Sequence, residues 1–185
     1  MPKVEGHPDA NYRMVAQPVL AVDGKSVLYD LSARFDQGPV SGLDKSITIY
    51  KQTNGYALVV NPSNRENPIL CLTTEISTEK ETYLIPPLNA MFEKIMGITE
   101  DGDGVSTPDC AAGHSISAEG KGFVVCSTMP GSEIMIFSDH MRLNVTYTDS
   151  KEEIDSGGAA SHCLQVAKPF EVKETLGSSL LNPRP

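Results

Sequence analysis

The chain has 185 residues, room for one well-cored domain but not for two with a linker. Apolar residues make up 39%, aromatics 6% without Trp, and Gly and Pro number 15 and 13, a turn-rich globular composition that excludes collagen and wholesale disorder. Lys and Arg total 15 against 24 Asp and Glu, a net charge of −9 with no basic run, which excludes nucleic acid as an expected partner. No apolar stretch approaches the roughly 18 residues a bilayer span needs, so no transmembrane segment is expected. The start MPKVEGHPDA has no apolar h-region, so a secreted form would already have shed its signal peptide.

The chain reads as a single domain, 1–185, with flexible ends over approximately 1–15 and 175–185, where the sequence is polar and unanchored. Val19 to Val22 is apolar and leads into the turn pair Asp23-Gly24. Beyond it, Val27, Tyr29, Leu31, Ala33 and Phe35 alternate with Asp30, Ser32, Arg34 and Asp36, the period of a half-buried strand. Asn54-Gly55 separates SITIY from YALVV and predicts a second hairpin. Pro62 to Pro68 breaks the pattern before a β-prone stretch from Ile69 to Ile76. After Pro86-Pro87, the residues Leu88, Met91, Phe92, Ile95 and Met96 follow the helical period, with Gly97 as a left-handed cap. Later β-prone runs are GFVVC, EIMIF, HMRLNVTYT and CLQVAKPFEV, and no internal repeat is evident.

Many strands and one short helix predict a mainly β fold of curved antiparallel sheets, an open barrel or half-barrel, rather than a doubly wound one. A curved sheet must bury one face. Its concave side, with the helix, would give a ligand cavity lined by Tyr29, Leu31, Ile47, Ile49, Val59, Met91 and Phe92. Seven Met supply adaptable apolar lining, which would suit an elongated hydrophobic guest.

Catalytic signatures are absent: no G-x-S-x-G, no H-E-x-x-H and no phosphate-cradling G-x-x-x-x-G-K, so no enzyme is expected. His162 and Cys163 are neighbours, which on a strand point to opposite faces and form no thiolate couple. His7, His114 and His140 read as solvated or capping residues. Cys71, Cys110, Cys126 and Cys163 lack zinc-ligand spacing and suit two disulfides, with three pairings open. Glu100, Asp101 and Asp103, with Asp109 beyond, form an acidic cluster between glycines, and Ca²⁺ is the one candidate cofactor. The spacing departs from an EF-hand, since Val105 and Ser106 stand where a ligand and the turn glycine belong. Asn144-Val145-Thr146 is an N-glycosylation acceptor, and strand alternation puts Asn144 on a polar face.

The YDLSARF strand, ITIY followed by Gly55-Tyr56, Cys71 and above all YLIPPLNAMFEKIMGI resemble the ependymin-related proteins, a secreted family with a fold similar to the LolA-type lipoprotein carriers. The resemblance covers about Tyr29 to Val145; Cys163 aligns to no family motif, and the absence of Trp departs from many members. It implies an extracellular glycoprotein with disulfides, two antiparallel sheets around a deep apolar cavity, calcium binding, and a homo- or heterodimer. The expected function is therefore that of a secreted, non-enzymatic protein enclosing a hydrophobic small molecule or lipid. The alternative is an adhesion or inhibitor module, a solid β-sandwich acting through loops such as Pro62 to Pro68 or Gly97 to Asp109.

Overall fold

The computed structural model describes residues 13–37, 46–60, 65–75, 87–99, 104–118, 120–127, 133–139, 141–148, 153–155 and 158–181. In chain order these form β1 (Arg13–Leu20), β2 (Ser26–Gln37), β3 (Ser46–Thr53), β4 (Tyr56–Val60), β5 (Ile69–Cys71), α1 (Leu88–Met96), β6 (Gly104–Thr107), β7 (Cys110–Ala118), β8 (Lys121–Ser127), β9 (Glu133–Ser138), β10 (Met141–Thr146), a 3-10 turn (Ala159–His162), β11 (Phe170–Glu171) and α2 (Leu176–Leu181). The protein is mainly β, with two antiparallel sheets that do not close into a barrel. None of the described helices is long and apolar enough to cross a membrane. The chain divides into two compact units, Ala10–Ile76 with Lys151–Phe170, and Ser77–Ser150 with Glu171–Pro185.

The first unit holds a sheet in the order β1-β2-β3-β4-β5, with β11 pairing β2. Its first hairpin turns where Asp23-Gly24 predicts. The Asp23 carboxylate accepts the amide N–H groups of Lys25 and Ser26 at 2.8 Å and the Ser26 hydroxyl at 2.7 Å, while Gly24 takes φ +67°. These bonds, the Ser26 hydroxyl first, lower the Asp23 pKa from 3.8 to about 2. A carboxyl depressed on folding stabilises above its unfolded pKa and loses that contribution as pH falls through the folded one. The cap therefore weakens between pH 3.8 and about 2, and the Asp23 carboxyl carbon should titrate near the lower value by NMR. Ser26→Ala should move that midpoint upward; a midpoint already at 3.8 would show that the turn is uncapped.

The second hairpin also turns as predicted, through Asn54 at φ 51° and Gly55 at φ 82°, the pair of positive angles that a two-residue turn matching strand twist requires. The Gly55 carbonyl accepts the amides of Val166 at 2.7 Å and Ala167 at 3.1 Å, so the returning segment is docked on this turn. A Cβ on Gly55 would overlap the Ala167 carbonyl oxygen and come 2.8 Å from Gln165 Cγ. Gly55→Ala combines a strained φ with that overlap and should cost about 2–3 kcal/mol in chemical unfolding. An unchanged midpoint would mean that the segment does not sit on the turn.

The predicted strand beyond Pro68 is shorter than the stretch from Ile69 to Ile76: β5 ends at Cys71, though the Leu72 amide still reaches the Ala57 carbonyl at 3.1 Å. CLQVAKPFEV is not one strand either. It contributes a single bridge, Gln165 to Tyr56, and the two residues of β11, because Val166 and Ala167 spend their amides on Gly55.

The second unit is a sheet in the order β10-β9-β8-β7-β6 with α1 and α2. The helix periodicity is borne out: Leu88, Met91, Phe92, Ile95 and Met96 are all buried. Gly97, expected as a left-handed cap, instead takes φ −81°, and its amide reaches back to the Lys94 carbonyl at 3.0 Å. The chain continues in a helical turn because the next residue, Ile98, is buried and bonds the Ile95 carbonyl at 3.0 Å. The stretch from Thr175, read from sequence as an unanchored tail, holds α2 (Leu176–Leu181), with Thr175 as its cap. At the other end, β1 begins at Arg13, inside the stretch read as flexible.

Candidate functional site

The residues named for an apolar cavity fall in three places. Tyr29 and Leu31 lie on β2, where Ala33 is paired with Tyr50 and Leu31 with Gln52. Directly opposed residues of an antiparallel pair share a face, so Tyr50 and Gln52 join Tyr29, Leu31 and Ala33, as do Ala57 and Val59 through β4. Ile49 pairs with Arg34 and Val60 and therefore belongs to the other face, with Leu58. Ile47 pairs with Asp36 and has the same parity, its side chain lying outside the described residues. The strands were read rightly; grouping their odd positions was not, because the β2–β3 register opposes odd to even residues. Met91 and Phe92 belong to α1 of the second unit, where they are 0% and 4% exposed and form part of its core.

The face of Tyr29 carries the most unusual polar chemistry of the first unit. Leu31, Ala33 and Ala57 are completely buried, and the Tyr29 ring stacks on Phe170 with centroids 6.3 Å apart. Burial pushes the Tyr29 hydroxyl pKa upward, keeping the phenol neutral. Among these groups, the Tyr50 hydroxyl donates to Gln52 Oε1 at 2.7 Å. Gln52 itself is 0% exposed, and its Nε2 is buried without a hydrogen-bond partner. Sequence reading missed Gln52: in the polar-looking triplet Lys51-Gln52-Thr53 nothing marks one amide as inward.

The opposite face is closed in part by the returning segment. Cys71 bonds Cys163, and the buried pair Leu58 and Cys163 is flanked by Tyr56 and Val60. The second disulfide, Cys110 to Cys126, joins β7 to β8. It crosses above Gly113, the partner of Cys126, where a Cβ would come 3.0 Å from Cys110 Sγ and 2.8 Å from Val124 Cγ1. All four cysteines are paired, which fits an oxidising, extracellular environment. His162, beside Cys163, is exposed.

Glu100, Asp101 and Asp103 lie outside the described residues. Asp109 is engaged with Arg142 at 3.4 Å, an exposed ion pair of little energetic weight. Among the described residues no group of three His, Cys, Asp or Glu side chains gathers that could hold a metal ion. Asn144 sits exposed on β10, the edge strand of its sheet, as alternation predicts.

A cleft of about 400 Å³ opens in the second unit, lined by Lys94 in the last turn of α1, by Gly97, Ile98 and Thr99 just beyond it, and by His114 to Ser117 of β7. His114 is half-buried, opposite Val125 on one side and Gly104 on the other, with its Nδ1 buried and unpartnered. It is neither solvated nor a cap, as the sequence suggested. No spacing signal could have joined Lys94 to His114, which meet only through the packing of α1 on β7. No family model, curated protein or solved structure matches the chain.

Proposed function

We propose that the protein is a secreted, non-enzymatic binding protein that carries a hydrophobic small molecule or lipid against the Tyr29 face of its six-stranded sheet. The observation that carries this reading is the Gln52 amide, whose NH2 group has two donors and no acceptor within an apolar wall. An unmade buried hydrogen bond costs roughly 1–3 kcal/mol, and an oxygen on a bound guest would relieve that cost for one of the two donors while the surrounding Leu31, Ala33 and Ala57 exclude water. An apolar wall with few, placed polar groups is the usual form of a small-molecule site. A guest removing on the order of 300 Å² of apolar area from water gains roughly 7 kcal/mol before entropy losses. The two disulfides and the exposed Asn144 sequon support export and glycosylation, and the resemblance to ependymin-related proteins points the same way. Calcium at Glu100, Asp101 and Asp103 belongs to the same proposal on the acidic cluster and that resemblance, and dimerisation on the resemblance alone.

The test is native mass spectrometry and solvent extraction of the purified, oxidised protein, followed by displacement of a fluorescent fatty acid. A co-purifying amphiphile is expected. Gln52→Leu should keep the fold and lose preference for guests bearing an oxygen acceptor over hydrocarbons of the same length. Absence of any bound molecule together with no uptake of the fluorescent probe would overturn the carrier reading.

A further inference from the structure

The cleft beside α1 has a chemistry of its own, independent of any apolar guest on the first unit. Among the described residues that line it, Lys94 is the only cationic side chain and none carries a carboxylate. Thr99 adds a hydroxyl, and Ile98 and Ile116, each 7% exposed and the latter on the same face of β7 as His114, supply an apolar floor. His114 contributes an imidazole whose Nδ1 is shut in without a partner, leaving Nε2 as the ring nitrogen available to a ligand.

A helix C-terminus ordinarily repels an anion through its free carbonyls. Here the last three of those carbonyls, and that of Ile98 just beyond the helix, are occupied. Lys94 O accepts the Gly97 amide, Ile95 O the Ile98 amide, Met96 O the Thr175 hydroxyl at 2.7 Å, and Ile98 O the Gly177 amide at 3.1 Å. The last three carbonyls of α1 are thus engaged internally, and the cationic Lys94 stands in its last turn.

We infer that this cleft binds a small oxyanion, a carboxylate or phosphate group carried on an apolar body, with Lys94 as its counter-charge, His114 and the Thr99 hydroxyl as hydrogen-bond partners, and Ile98 and Ile116 beneath the apolar part. The volume suits such a ligand, since small-molecule sites run from about 300 to 1,000 Å³.

The experiment follows the His114 ring signals by ¹H–¹³C NMR in the full, oxidised chain, titrating octanoate, inorganic phosphate and calcium chloride separately, with His114→Gln to assign the signal. Saturable shifts with octanoate or with phosphate are expected; octanoate alone places the apolar floor in the site, and phosphate alone reduces the ligand to its oxyanion. Lys94→Gln, at an exposed position that should leave the melting temperature unchanged, should weaken binding at least about tenfold, the worth of one charge-assisted hydrogen bond. Three results would overturn the inference: no shift with either anion, shifts with calcium alone, or anion binding indifferent to Lys94→Gln.

Discussion

Replacing Cys71 and Cys163 together by Ala should lower the unfolding free energy by about 4–5 kcal/mol, the largest loss expected from removal of any one covalent or packing feature of the described structure. The two cysteines are 92 positions apart, against 16 for Cys110 and Cys126. In the chain-entropy model the longer loop is worth about 4.6 kcal/mol and the shorter about 3. The Cys71–Cys163 loop includes Ser77–Ser150, the bulk of the second unit, so the chain leaves the first unit at Ile76 and returns at Lys151. What holds that return is modest: the bridge, the Gln165 to Tyr56 pairing, the amides of Val166 and Ala167 on Gly55, and the Lys51 ammonium on the Asp155 carbonyl. Without the bridge, residues 158–167 should exchange amide protons early, while the second unit keeps its protection. Urea unfolding of this double variant beside Cys110→Ala/Cys126→Ala measures the difference directly, with about 1.5 kcal/mol expected between them. Equal losses would show that the long loop is already restricted when unfolded, and the entropic account would not hold for this chain.

Turn chemistry and alternation made much of the first sheet legible. Asp23-Gly24 and Asn54-Gly55 both turn where expected: Asn54, Gly55 and Gly24 take φ above zero, which few residue types accept, and the Asp23 carboxylate caps its turn. A two-residue turn at Asn54-Gly55 also fixes Tyr50 opposite Val59 and Ile49 opposite Val60, so those faces could have been separated from sequence. The β2–β3 register could not, since a long connection sets no phase between its strands. β7 escaped notice because Ala111, Ala112, Gly113, Ser115 and Ser117 are poor strand formers. Those small residues suit a strand that carries a disulfide across Gly113 and borders the cleft. The candidate sites were less legible for a related reason. Gln52 and His114 matter for what they lack, a hydrogen-bond partner, and that is decided by tertiary packing rather than by local pattern.

The second large effect concerns the segment that pattern reading left loose. Leu176 to Leu181 contains a Gly and two Ser, a composition of low helix propensity, yet it is helical because its start is capped and its second residue is pressed onto α1. Thr175 Oγ1 accepts the Ser178 amide at 3.2 Å, and Ser178 Oγ accepts the Thr175 amide at 3.0 Å, a reciprocal cap with Ser in place of the usual Glu or Gln. Thr175 also donates its hydroxyl to Met96 O, so the cap and the dock are one device. Gly177 is buried, and a Cβ there would stand 2.6 Å from the carbonyl carbon of Ile95, with the oxygen closer still. That oxygen accepts the Ile98 amide and α1 is itself packed in the core, so neither side can yield cheaply. Gly177→Ala should therefore lift α2 from α1 and expose Leu181, now 5% exposed. The expected cost is about 3 kcal/mol, or a melting temperature lower by roughly 10 °C. Thr175→Ala, which removes the cap but introduces no overlap, should cost only about 1 kcal/mol. Limited proteolysis supplies the second readout, with cleavage after Lys173 rising sharply in Gly177→Ala and slightly in Thr175→Ala. If Gly177→Ala melts like the parent protein and resists cleavage at Lys173, α2 does not rest on α1, and the carbonyls that leave the cleft open to an anion would not be satisfied from that side.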